Sequence, residues 1–127
     1  MIGGKKAHFV LISEDDAADP KTATAVAQKL VDQKVNGVVG HLNSGTSIPA
    51  SKIYFDAGIP EISPSATAIK YTAQGYGTAY RVMTNDAQQG RVLGSFAVQK
   101  LGAKKIAIID DRSAYGQGLA DEVEKAA

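Results

Sequence analysis

Short apolar runs alternate with longer stretches of helical spacing along almost the whole chain, and this alternation limits the possible folds more than any other feature. Residues 7–13 (AHFVLIS), 37–40, 59–63, 79–83 and 105–109 each have the length and the β-branched or aromatic content of a strand. Asp19-Pro20 reads as a helix start: Asp accepts from free N–H groups, and Pro at the first helical position has no N–H to satisfy. Ala23, Val26, Ala27, Leu30 and Val31 then share one helical face, and Asn36-Gly37 ends the pattern. A second helix is expected near 49–57, after a polar loop over 41–47, with Ile53 and Tyr54 facing inward. A single turn is expected around 68–72. Asn85 with Gln88 three residues on resembles a capping box and opens a helix that Gly102 closes. A last helix spans 113–127. Strands separated by helices of this length imply βαβ crossovers. The expected fold is therefore a single α/β domain over 1–127: three layers, a parallel sheet of about five strands with helices on both faces, in the flavodoxin-like manner.

Composition excludes several functions. Fourteen Lys and Arg against thirteen Asp and Glu leave a net charge of +1 over 127 residues, so no broad nucleic-acid face is expected. There is no Cys, hence no disulfide and no thiolate chemistry, and two His cannot alone make a structural metal centre. No apolar run approaches the roughly 18–20 residues of a membrane span. The opening stretch MIGGKKAHFVLISEDD lacks the form of a signal peptide, because the apolar part, residues 7–12, is too short and charges follow it. On that reading the chain either stays in the cytoplasm or is a piece of something longer.

In open parallel sheets, ligands bind beyond the carboxyl ends of the strands, near helix N-termini. That rule selects residues 13–16, 41–47, 63–67, 84–86 and 110–115, which are rich in hydroxyls and small side chains and contain no evident nucleophile–base pair. Residues 40–47 (GHLNSGTS) nearly match a phosphate-binding loop, but Thr46 stands where the loop's Lys should be. A carboxylate suits this loop better, since Ser44, Gly45, Thr46 and Ser47 offer donors at a helix start, although the same hydroxyls can simply cap the helix. Glu14-Asp15-Asp16 and Asp110-Asp111 are similar to the magnesium-binding acidic pocket of response-regulator receivers, without the second phosphoacceptor Asp or the late Lys. His41 beside Ser44 lacks a nucleophile elbow and an orienting third group. His8 reads as a core or edge residue. Tyr115 is placed either to wall a small-ligand cleft or to pack on its own helix.

Taken in order, these segments resemble the periplasmic binding proteins for branched-chain amino acids. The resemblance rests on residues 15–21 (DDAADPK), 38–47 (VVGHLNSGTS), 62–67 (ISPSAT), 80–82 (YRV) with Asp86 and Gln89-Gly90, 106–111 (IAIIDD) and 115–118 (YGQG). It implies a non-enzymatic solute receptor of an ABC importer, located in the periplasm, with a membrane permease as partner and no cofactor or metal. Such a receptor closes two α/β lobes of the type I periplasmic fold on an amino acid. The resemblance places the ligand carboxylate at Ser44 and Thr67. It places the ammonium at the carbonyl of Ser65, the hydroxyl of Thr67 and an acidic residue of the other lobe. Leu42 and Asn43 line the site, Ala66 lies in the same strand-end loop, and Tyr115 matches an aromatic of the opposing lobe. Some members join the positions of Ala18 and Asn43 by a disulfide, which this chain cannot form. The runner-up reading is a stand-alone flavodoxin-like or receiver-like domain holding a phosphate-bearing ligand or magnesium.

The resemblance also implies what is missing. Residues 1–84 match the first lobe without its first strand and helix, and 85–127 match the start of the second. The acidic ammonium partner is then expected to be absent, and affinity reduced or lost. An empty slot beside 7–13 and 37–40 would leave ladder groups unpaired. The spare strand 105–109 is expected to fill it, within one chain as a five-stranded monomer or between two chains as a swapped homodimer.

Overall fold

The computed structural model describes residues 3–127. Among the described residues, five α-helices and three short strands follow in the order α1 (Pro20–Asp32), β1 (Val38–Val39), α2 (Ser44–Asp56), β2 (Glu61–Ser63), α3 (Ile69–Ala73), β3 (Ala79–Arg81), α4 (Asp86–Ser95) and α5 (Ala114–Ala126). The strands form one parallel sheet in the order β1-β2-β3. Among the described residues no helix is long and apolar enough to cross a membrane.

Local chemistry sets the helix starts. The Asp19 carboxylate accepts from the Thr22 N–H at 2.7 Å ahead of Pro20. Asn85 accepts from the Gln88 N–H at 3.1 Å, and Ser113 from the Gly116 N–H at 2.9 Å. The return half of the expected capping box is absent, because the Gln88 side chain is taken by Arg91. The helix from Asp86 passes into a π-helical turn, Phe96–Lys100, before Gly102 turns the chain at φ +65°.

Ala23, Ala27 and Leu30 of α1 are buried as their spacing requires. Ala27 and Leu30, together with Ala50 and Tyr54 of α2 and Ile59, make the main core, and Val38 packs against it. The two alanines at this contact, Ala27 and Ala50, let α1 and α2 approach closely, while Leu30 and Ile59 each supply about 1.5–3 kcal/mol of burial. Ala66, Tyr71 and Ala79 form a second cluster under β3. Val39, Ile62 and Tyr80, aligned across the sheet by its register, form an exposed row on the opposite side.

Three expectations are corrected. The sheet has three strands rather than five: residues 7–13 and 105–109 join no ladder. Phe9, Val10 and Leu11 are 79%, 77% and 89% exposed and Ile109 is 95% exposed. The apolar run is strand-like, but a strand exists only beside a partner, and among the described residues none pairs with these segments. The spare strand 105–109 therefore does not fill the slot within one chain. Third, α2 begins at Ser44, not near Pro49, so the polar stretch 44–47 is the first turn of a helix with Pro49 inside it.

α5 packs tightly on α4. A Cβ placed on Gly90 would lie 2.4 Å from the Cβ of Glu122 and 2.7 Å from its carbonyl carbon, and one on Gly94 would lie 2.7 Å from the Cβ of Ala126. Backbone cannot yield as a flexible side-chain tip does. Gly90→Ala is expected to lower the stability by about 1–3 kcal/mol by prising α5 away. Urea unfolding checks this: an unchanged midpoint would show that the helices do not meet as described.

Candidate functional site

The N-termini of α1, α2, α4 and α5 come together at the carboxyl ends of the strands. A Cβ on Gly45 of α2 would sit 3.9 Å from both Ala114 of α5 and Pro20 of α1, and one on Gly118 of α5 would sit 3.7 Å from the Asp86 carboxylate of α4. This gathers most of the sequence-predicted site residues at one end of the molecule.

Within α2, Thr46 and Ser47 turn their hydroxyls inward, both donating to the Asn43 carbonyl at 2.9 Å. Their hydrogens are committed within the first turn and are unavailable to a ligand. Ser44 differs. Its buried Oγ accepts from the Ala68 N–H at 3.1 Å, which leaves its own hydrogen to donate. The first-turn N–H groups of Ser44 and Gly45 have no intrahelical partner. Leu42, 62% exposed, and Asn43 stand on the outer side of the loop.

The 63–67 loop is held from two sides. Ser63 Oγ accepts from the N–H groups of Ser65 at 3.3 Å and Ala66 at 2.9 Å. Arg81 donates to the carbonyls of Ala66 and Ala68, each at 2.9 Å, and to the Thr72 hydroxyl at 2.7 Å. Thr67 is thereby fixed, with its carbonyl accepting from the Asp86 N–H at 2.9 Å. The Thr67 hydroxyl is buried with no well-formed hydrogen bond, and the same holds for both carboxylate oxygens of Asp86. Burial holds the Asp86 carboxyl above its ordinary range, although the Thr67 hydroxyl and the Arg81 charge act to lower it.

Tyr115 lies in the first turn of α5, where Gln89 Nε2 donates to its hydroxyl at 3.4 Å. It borders a groove with Ile108, Ile109, Leu119 and Val123. The structure thus brings Ser44, the 65–67 loop and α5 to one end, with Leu42 and Asn43 at the rim.

Sequence reasoning assigned no role to Asp86, Arg81, Ser63 or Glu61. Asp86 and Arg81 stood in quoted motifs, but their burial depends on α5 and on the 66–68 loop, neither of which is local to them. His41 was weighed as a base for Ser44, and the geometry rejects that. Its Nδ1 lies 2.7 Å from Asp16 Oδ2 and its Nε2 lies 3.1 Å from the Tyr54 hydroxyl. With Asp16 accepting, Nδ1 carries the proton and Nε2 accepts from Tyr54. Burial acts to raise the Asp16 carboxyl, but hydrogen bonds from His41 and the Ala18 N–H hold it below its ordinary value. The acidic clusters are also committed locally. Glu14 pairs with Lys29 at 2.7 Å, Asp15 accepts from the Ala17 N–H, and Asp110 and Asp111 accept from the N–H groups of Arg112 and Ser113. Among the described residues no three His, Asp or Glu side chains gather as a metal ion requires.

The sequence profile of the periplasmic binding protein family matches residues 2–127. A Leu/Ile/Val-binding protein homolog of Brucella abortus is 48% identical over 124 residues, covering 98% of this chain and 33% of the relative. An amino acid binding protein of Pseudomonas aeruginosa is 48% identical over 121 residues, covering 94% of this chain and 32% of its own length. A branched-chain amino acid transporter substrate-binding protein from Streptococcus pneumoniae, solved in complex with isoleucine, superposes with a TM-score of 0.82 at 32% identity, covering 91% of this chain and 33% of that one. A solute-binding protein from Rhodopseudomonas palustris, solved in complex with benzoate, gives 0.83 at 30% identity, covering 89% and 32%. The chain spans about one third of the length of these curated relatives.

Glu61 is wholly buried between the site and the core, with Oε1 accepting from the His41 N–H at 3.3 Å. Burial pushes its carboxyl up to about 8 from an ordinary 4.5, against hydrogen bonds from His41 and Tyr71. The fold therefore favours protonated Glu61. Its contribution to stability is full below pH 4.5 and is lost as pH rises through about 8. Glu61→Gln keeps the shape and removes the titration. Urea midpoints taken between pH 4.5 and about 8 should fall with rising pH in the parent and stay flatter in the variant. Parallel pH profiles would contradict the assignment.

Proposed function

We propose that this chain, which belongs to the periplasmic binding protein family, carries the part of a solute-binding site that grips the charged end of an α-amino acid of the branched-chain class. One observation carries the reading: the Thr67 hydroxyl and the Asp86 carboxylate are both buried and both lack a well-formed internal partner, at the point where helix N-termini converge. Leaving such groups unpaired is costly, and a buried carboxylate costs most of all. An α-amino acid supplies what they lack. Its carboxylate takes the Ser44 hydroxyl and the free N–H groups of the α2 first turn, where the helix dipole also favours negative charge. Its ammonium lies against Asp86, the Thr67 hydroxyl and the carbonyl of Ser65.

Asp86 changes the expectation that the acidic partner would be missing, because this chain holds a carboxylate of its own beside Thr67. It also bears on solute class. A relative that binds benzoate needs no ammonium partner, whereas a buried Asp with no well-formed hydrogen bond favours a cation. The apolar side chain of the solute lies toward Tyr115 and the rim residues Leu42 and Asn43. Since α5 sits over Asp86 through Gly118, it is the element that stands off to admit solute.

We assign the chain, on the same reading, to a receptor that delivers solute in the periplasm to an ABC permease, with residues 1–84 belonging to one lobe and 85–127 opening a second. The runner-up reading, a phosphate- or magnesium-binding domain, has no observation in its favour.

Calorimetry with leucine tests the assignment. Ser44→Ala and Thr67→Ala are each expected to weaken binding by about 1–3 kcal/mol, the cost of unmade hydrogen bonds to a charged group. Asp86→Asn, which removes the countercharge of the ammonium, is expected to cost more than either. Variants that bind leucine as the parent does would overturn the site.

A further inference from the structure

Among the described residues Glu61 is the largest acidic side chain with no exposure at all, and the contacts proposed for a solute leave it out. It stands in β2 on the same side as Ser63, two residues on. Three groups face it: His41 of the loop before α2, Tyr54 of α2 and Tyr71 of α3. Its Oε1 accepts from the His41 N–H at 3.3 Å, and its Oε2 has no well-formed hydrogen bond. Glu61 joins none of the ion pairs among the described residues. The guanidinium of Arg81 stands over the Tyr71 ring, 5.4 Å from its centroid, but donates to Ala66, Ala68 and Thr72. Asp16, on the ring of His41, adds a second acid and no countercharge.

The Tyr71 hydroxyl has one hydrogen and two acceptors within its reach, the Tyr80 carbonyl at 3.0 Å and Glu61. A neutral Glu61 lets every group keep a partner. One oxygen accepts from His41, the other donates its proton to Tyr71, and Tyr71 donates to Tyr80. An ionised Glu61 draws the Tyr71 hydrogen away from β3 and leaves a charge in the interior with no cation against it.

We propose, on the amino-acid site described above, that Glu61 is a positioning residue for the solute and acts only as the neutral acid, so that alkali weakens binding. Its bond to His41 fixes the chain three residues before Ser44. The His41 carbonyl accepts from Ser63, and Ser63 accepts from the N–H groups that shape the loop of Thr67. Both halves of the solute's donor set therefore start from the peptide groups that Glu61 steadies. Ionisation loosens this anchor and sets a negative charge beneath the turn that holds the solute carboxylate, where the interior screens it poorly. The solute ammonium gains nothing comparable, because Asp86 already answers it. Burial holds the Glu61 carboxyl at about 8, so mild alkali is enough to change its state. By linkage, solute binding takes up a proton as pH rises through that value.

Two measurements on the full chain test this, one without solute and one with leucine. In the first, the carboxyl carbon of Glu61 and the carbonyl carbons of His41 and Ser44 are followed by NMR from mildly acid to mildly alkaline pH. In the parent all three should move together with a midpoint near pH 8. Glu61→Gln mimics the neutral acid at every pH, since its amide oxygen accepts from His41 and its NH2 donates to Tyr71. In that variant the His41 and Ser44 resonances should stay in place. In the second, calorimetry should find leucine bound about three- to tenfold more weakly at pH 9 than at pH 7 by the parent, with a smaller loss in Glu61→Gln. The leucine ammonium and Asp86 titrate in both proteins, so the difference between the two reads Glu61 alone. A Glu61 carboxyl that titrates in the ordinary carboxylate range, or loop carbonyls that ignore it, would overturn the proposal whether or not leucine binds; neither reading needs the variant to fold. Equal losses of affinity in parent and variant would overturn it while leaving the amino-acid site standing. A loop that follows Glu61 in a chain binding leucine at no pH would overturn the amino-acid site and this proposal with it.

Discussion

The peptide group and ring of His41 tie together the pieces that make the strand-end site. Its carbonyl accepts from Ser63 Oγ at the end of β2 at 2.6 Å and shares the Ser47 hydroxyl of α2, at 3.1 Å, with the Asn43 carbonyl. Its N–H donates to buried Glu61, and its ring joins Asp16, before α1, to Tyr54, on the far side of α2. Buried hydrogen bonds are worth only about 0.5–1.5 kcal/mol each, but a partner left unmatched costs about 1–3 kcal/mol, so the set holds or fails together. The consequence passes to the site in two steps. Ser63, fixed on His41, accepts the N–H groups of Ser65 and Ala66, and this shapes the loop that presents Thr67.

A site built in this way is preorganised on one side. Ser44 and Thr67 are set by the sheet ends, by the α2 turn and by the clamp of Arg81 on the 66–68 loop. Asp86 and Tyr115 depend instead on how α4 and α5 sit, and those helices are joined to each other more closely than to the sheet. Such an arrangement suits a receptor that must open, since the rigid part recognises the charged end while the movable part closes over it.

Features written in contiguous residues were legible in the sequence. The caps Asp19 and Asn85, the core face of α1 and the parallel sheet at Glu61–Ser63 all follow from local chemistry and periodicity. Features that need a distant partner were not. Residues 7–13 and 105–109 have the pattern of strands, yet a pattern cannot supply the neighbour that turns an apolar run into one. Ser44–Ser47 have the composition of a loop, and Pro49 the form of a helix start. Thr46 and Ser47, bonded back to Asn43, start the helix earlier. Ser44 and Thr67 were named from motif resemblance. The role of Asp86 is not legible locally, because nothing nearby in sequence reveals that Thr67 and Gly118 enclose it.

The central claim is that the strand-end loops recognise the charged end of an amino acid. Titrating leucine into the isotope-labelled chain while following backbone amide resonances tests it most directly. The account predicts shifts concentrated at Ser44, Gly45, Thr67 and Asp86, and their loss when leucine is replaced by its amide or by the acid lacking the ammonium. Leucine-induced shifts elsewhere, equal responses to all three compounds, or no response at millimolar leucine would contradict it.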